Sequence, residues 1–175
     1  MGVRLLVPVS AALPPIWLSM RASTAPDLRR DAEVALGVSI QPGGRLPFEL
    51  VLEERIPIGS GEKSRPAAIL IGGLTDHPLD HGLMLEGYGQ AGLVGARSPD
   101  LFADGRLTLS HGLAGPVRAG MGVWGAIQPH VGRVDVGPVI SLPTKDLRLT
   151  VEWRFRIAGD ARPASGPSVT LGKDF

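Results

Sequence analysis

Cysteine is absent from the 175-residue chain, which excludes disulfides, thiolate nucleophiles and cysteine-ligated metals together. Lysine is nearly absent too: of 18 basic residues, three are Lys and 15 are Arg. Arg makes multiply hydrogen-bonded, partly buried ion pairs more readily than Lys, so this bias fits charges packed against carboxylates, although a GC-rich genome would produce it as well. A net charge of +1 removes the long-range field of a nucleic-acid binder, and no basic run carries interleaved aromatics. No apolar run reaches the ~18 residues of a membrane-spanning helix. A membrane role would therefore need a β-barrel or an attachment.

The N-terminal stretch MGVRLLVPVSAALPPIWLSM has a short apolar core interrupted by Pro8, Pro14 and Pro15, and it reads as a first strand and turn rather than as a secretion signal. What the chain does have is 24 Gly and 16 Pro, the composition of many turns and few helices. Between those turns lie segments such as LRLTVEWRFRIAGD, residues 147–160. There Leu147, Leu149, Val151, Trp153, Phe155 and Ile157 alternate with Arg148, Thr150, Glu152, Arg154 and Arg156. Side chains alternate across a strand with period two, so this segment has one apolar and one ionic or hydroxylic face. A soluble sheet would turn the apolar face to a core, whereas an outer-membrane barrel would turn it to lipid.

The same alternation predicts strands over 32–41, 46–58, 65–74, 82–95, 101–112, 116–128, 132–142, 146–158 and 167–175, with two less regular ones near 3–9 and 15–23. The expected fold is all-β, an antiparallel up-and-down barrel of the outer-membrane type with about 10–12 strands. It occupies 1–175 as one domain, with 1–31 least defined and the barrel incomplete there if early strands are missing. The parity assigned to the lumen contains Glu33, Glu49, Glu53, Arg55, Glu86, Asp104, Arg106, Arg118, Arg133, Asp135, Arg148, Glu152, Arg154 and Arg156. Mixed signs at this density could close a narrow lumen with ion pairs, or equally decorate a solvated face. Connections at 143–145, 113–115 and 42–45 are short, 75–81 is longer, and those at 159–166, 96–100, 59–64 and 24–31 are longer as well. With 129–131 as the short member of the second group, this is the asymmetry of periplasmic turns and outer loops. Eight aromatic residues in all are few for two interfacial girdles, so Gly, Ala and aliphatic residues would dominate the lipid side.

Three short motifs invite chemistry and carry little. GYGQAG at 87–92 has the spacing of a dinucleotide-binding loop, but Gly95 and Pro99 stand where the required helix would run. DHPLDH at 76–81 sets His77 and His81 four apart, with Pro78 breaking the helix on which they could share a metal. Ser110 and His111 are adjacent, so on a strand they face opposite sides and cannot form a nucleophile and base pair. No catalytic residues, metal or cofactor are expected.

GYGQAGLVGARSPDLFADG, GVWGAIQP and WRFRIAGDARPASGPSVTLGKDF resemble the C-terminal barrel region of alphaproteobacterial outer-membrane proteins, over about residues 33–175. More remotely they are similar to the C-terminal domain of bacteriophage-adsorption outer-membrane proteins, whose preceding part carries tetratricopeptide repeats. Val169, Leu171 and the terminal Phe175 resemble the last-strand signature of such proteins, with Lys173 departing from it. The resemblance implies an outer-membrane location and work in surface anchoring, binding or export tied to polysaccharide or phage reception. The implied partners are outer-membrane lipid, the barrel assembly machinery and envelope polysaccharide, with no nucleic acid. Alternatives are a soluble β-sandwich or lipocalin-like protein binding a small ligand, and an outer-membrane lipid hydrolase. An esterase assay of the Ser110→Ala and His111→Ala chains tests the last of these, because it requires activity that either change abolishes.

Overall fold

Alternation with period two makes each segment amphipathic as a strand and leaves it without a continuous apolar stripe as a helix. The structure, a computed structural model, describes residues 2–10, 14–24, 32–42, 48–59, 61–145, 147–161 and 165–172. Strands β1 (Gly2–Ser10), β2 (Ile16–Thr24), β3 (Ala32–Ile40), β4 (Phe48–Ile58) and β5 (Arg65–Pro78) are followed by a single 3-10 turn, Asp80–Gly82. Then come β6 (Leu83–Val94), β7 (Asp100–Ala114), β8 (Val117–Gln128), β9 (Val131–Pro143), β10 (Arg148–Gly159) and β11 (Gly166–Gly172). Each strand neighbours the next in sequence, in the order β1 to β11, so the fold is all-β, antiparallel and up-and-down. β1 and β11 stand at the two ends of that order.

One boundary differs from the sequence expectation. The segment read as a turn over 75–81 is mostly strand, because β5 continues to Pro78 and the reversal is confined to Leu79–Gly82. Asp76 adopts a φ of 46° and carries its carboxylate to Arg118 and Arg148, which holds the strand past Leu74. His81 and Gly82, at φ of 60° and 72°, then turn the chain back.

The chain divides into two compact units, one of Met1–Gly72 with Gln90–Leu101 and one of Gly73–Gly89 with Phe102–Phe175. In the second unit β10 shows how the faces are disposed. Arg148, Thr150 and Glu152 are buried, Glu152 to 2 % exposure, while Val151, Trp153 and Phe155 between and beyond them are 44 %, 45 % and 50 % exposed. β9 repeats the pattern, with Asp135 and Ser141 buried and Ile140 exposed. In the first unit Ser19, Ser39 and Glu53 are buried while Leu18, Met20, Leu36, Val38, Leu52 and Ile56 are exposed. The polarity of an ordinary soluble sheet is thus reversed in each unit.

Packing on the buried face depends on side-chain size. In the first unit, pairing places Ser19 opposite Gly37, Gly37 opposite Glu53 and Glu53 opposite Ala67. A Cβ on Gly37 would lie 2.8 Å from the Cβ of Glu53, so the glycine is what lets that carboxylate sit against the neighbouring strand. Ala35, Val51, Ala67, Ile69 and Val94 complete a small apolar cluster on this face.

Absence of cysteine makes the register testable with introduced pairs. Val151 pairs with Val169 across β10 and β11, so the chain carrying Val151→Cys and Val169→Cys should form an internal disulfide on mild oxidation. Moving the second cysteine to Thr170 sets the two on opposite faces and should prevent it, read as mobility on a non-reducing gel.

Candidate functional site

All fourteen polar residues assigned to one parity lie on the faces that are buried or half-buried; none is exposed. Ion pairs of this face form within each unit, with one network in the first and a longer chain plus two further pairs in the second.

In the first unit Arg21 on β2 donates to Oε1 of Glu33 and to Oε1 of Glu53, each at 2.8 Å. Arg55 donates through Nε to the same Glu53 oxygen at 2.9 Å. One carboxylate at 7 % exposure therefore receives two guanidinium groups, which offsets the cost of taking its charge out of water. Nearby, Arg4 pairs with Glu49 and donates to the Ser19 hydroxyl, and the Ser39 hydroxyl donates to Glu49. The small residues opposite and beside Glu53 leave the space through which the long Arg side chains reach it.

The second unit carries a longer chain of pairs. Arg148 donates to Asp76 at 2.8 Å and to Glu86 at 2.5 Å; Asp76 also pairs with Arg118, and Glu86 with Arg106. Arg118, Asp76, Arg148, Glu86 and Arg106 thus form an alternating relay centred on Arg148, which is buried. Two further pairs lie within single strands: Arg133 with Asp135 on β9, and Arg154 with Glu152 on β10. Residues two apart on a strand share a face, and this spacing is what the sequence encodes in RVD and EWR. Arg156 donates instead to the Ala161 carbonyl at 2.9 Å.

Trp124 is the largest side chain on this face and shapes a cavity beside it. Its indole lies along β8 over Gly122, where a Cβ would stand 2.7 Å from Cζ2, and the Arg154 guanidinium covers the ring at 4.8 Å from its centre. Beyond it opens a cavity of about 690 Å³ walled by Tyr88, Asp104, Trp124, Arg133, Asp135 and Arg154, with Gln128 and Ser165–Ser168 at its margin. Among the described residues, Oδ1 of Asp135, Oε2 of Glu152 and Nε1 of Trp124 are buried without a hydrogen-bond partner. Buried polar atoms normally find partners, so these stand out.

The motifs singled out in the sequence contribute single residues to this face, Asp76 of DHPLDH to the relay and Tyr88 of GYGQAG to the cavity wall, and not the chemistry their spacing suggested. GYGQAG lies within β6 and opens no helix, and Tyr88 of that motif is instead a cavity wall. His77 ends in β5 and His81 in the 3-10 turn, and among the described residues no group of three His, Asp or Glu side chains could hold a metal. Ser110 is half-buried while His111 is exposed and contacts the Gly112 carbonyl at 2.7 Å. Val169 and Leu171 are exposed on β11; Phe175 lies outside the described residues. Sequence reasoning left Arg4 and Arg21 out of the ionic face and read Asp76 only as part of the 76–81 turn. Parity against Val3, Leu5, Leu18 and Met20 could have found the two arginines, while Pro78 made the Asp76 segment look like a loop.

The relay and the surface pair differ in what their loss should do. Arg148→Met leaves two part-buried carboxylates short of a cation and should destabilise the fold by about 3 kcal/mol. Arg65→Met, at a pair with Asp100 whose side chains are 51 % and 56 % exposed, should cost less than about 1 kcal/mol. Denaturant midpoints of the two variants check the contrast. Comparison with models of protein families, with curated proteins and with solved structures returned no match.

Proposed function

We propose that the chain is an outer-membrane β-barrel, or a segment of one, whose work is anchoring, binding or export at the cell surface rather than turnover. One observation carries this reading: in both units the aliphatic and aromatic parity is exposed while the opposite parity holds buried or half-buried carboxylates paired with guanidinium groups. In water such a sheet forfeits about 1.5–3 kcal/mol for each Leu, Ile or Val left uncovered. In hydrocarbon the same side chains sit without that loss, and inter-strand pairing satisfies the backbone, as a membrane demands. Strands of 11 to 15 residues from β4 to β10 are long enough for the ~9–11 residues a tilted membrane strand needs.

The soluble sandwich and lipocalin-like readings need Val151, Trp153 and Phe155 in a core, opposite to their exposure here. On the membrane reading the ionic groups fill a lumen, lipid and the barrel assembly machinery are partners, and envelope polysaccharide is the ligand class at the surface. The resemblance to outer-membrane and phage-adsorption barrels points the same way.

Cell fractionation should find the protein with outer membranes, and folded protein should migrate differently on a gel before and after boiling. A soluble protein with unshifted mobility overturns the reading. Val151→Arg places a charge on the lipid side and should lower stability in a bilayer by about 2 kcal/mol or more. On a water-facing strand the same change would be nearly neutral, within about 0.5 kcal/mol.

A further inference from the structure

The cavity of the second unit is not explained by membrane insertion. Interfacial girdles draw Trp and Tyr to the lipid side, yet Trp124 and Tyr88 turn to the polar face and wall this cavity. We propose that it binds a neutral saccharide of one or two sugar units. This deepens the outer-membrane reading and rests on it for the side from which the sugar arrives.

Volume, charge and unmet hydrogen bonds agree on the ligand class. About 690 Å³ falls within the range of ~300–1,000 Å³ typical of small-molecule sites. The charged walls balance, two Arg against two Asp, and Arg133 and Arg154 are already committed to Asp135 and Glu152, so no net charge calls for an ionic ligand. Trp124 and Asp135 are directly paired across β8 and β9, and they leave a donor, Nε1, and an acceptor, Oδ1, without partners among the described residues. A metal cation cannot accept from an indole N–H, and an anion brought against the Asp135 carboxylate meets like charge even where it carries an O–H; a neutral hydroxyl serves both atoms without that cost. Both atoms are covered, so a sugar hydroxyl reaches them with a turn of the Asp135 or Trp124 side chain. Tyr88, half exposed at the cavity wall, offers the ring face on which the apolar side of a pyranose would rest.

The test uses the full chain folded in detergent micelles, with gel mobility before and after boiling as the check on folding. Its Trp fluorescence is titrated with maltose, lactose, sucrose and mannobiose, and with galacturonate and inorganic phosphate as charged controls. A saturable change with at least one neutral sugar and none with galacturonate or phosphate is expected, weakened about tenfold by Tyr88→Ala and more by Asp135→Ala, with the mobility shift kept. Folded protein with no saturable response to any neutral sugar, an equal response to galacturonate or phosphate, or a response that Tyr88→Ala and Asp135→Ala leave unchanged, overturns the inference while the membrane reading stands. Saturable, Tyr88-dependent binding by a protein that shows no mobility shift sustains the cavity and overturns the membrane reading instead.

Discussion

A carboxylate taken out of water must meet a cation and hydrogen-bond donors, and the buried faces of this protein are organised around that requirement. Glu53 receives two guanidinium groups, and Arg148 bridges two carboxylates that each hold a further Arg. Arginine's several donors let one side chain serve two acceptors, which a lysine ammonium does with less fixed geometry. The skew to 15 Arg among 18 basic residues thus has a structural use here, whatever the genome contributes.

Satisfying the charges consumes space, and the supply of space is set by glycine and other small residues. Gly37 admits Glu53, and Gly122 admits the Trp124 indole onto which Arg154 folds. Where a large ring meets such glycines the face is no longer evenly filled, and the cavity next to Trp124 is the result. Ionic closure and an open pocket are therefore two outcomes of the same face, decided by the sizes of residues two apart on neighbouring strands.

The reversal of polarity links these local facts to the proposed role. Outward aliphatic residues give the sheet no core to fold against in water, and burying ion pairs contributes little net stability of its own. On the proposed role a surrounding hydrocarbon phase would supply the missing environment, and the fold and its location would be one requirement. On the same reading the pocket would add nothing to insertion, and its aromatic and polar lining would serve recognition.

Much of this was legible in the linear chain because period-two alternation and turn chemistry are local. Strand positions, antiparallel class and the partition of Glu53, Asp135 or Glu152 from Val151 or Phe155 follow from neighbours two residues apart. Even the Arg133–Asp135 and Glu152–Arg154 pairs are written within single strands. Which face is buried was not legible, since parity divides side chains without saying which set meets solvent or lipid. Neither was the partnership of Arg148 with Asp76, 72 residues away, nor the role of Asp76, hidden by a proline two residues further on. Register between strands is a long-range property, and it alone set Trp124 against Asp135, two buried side chains that each keep a polar atom without a partner among the described residues.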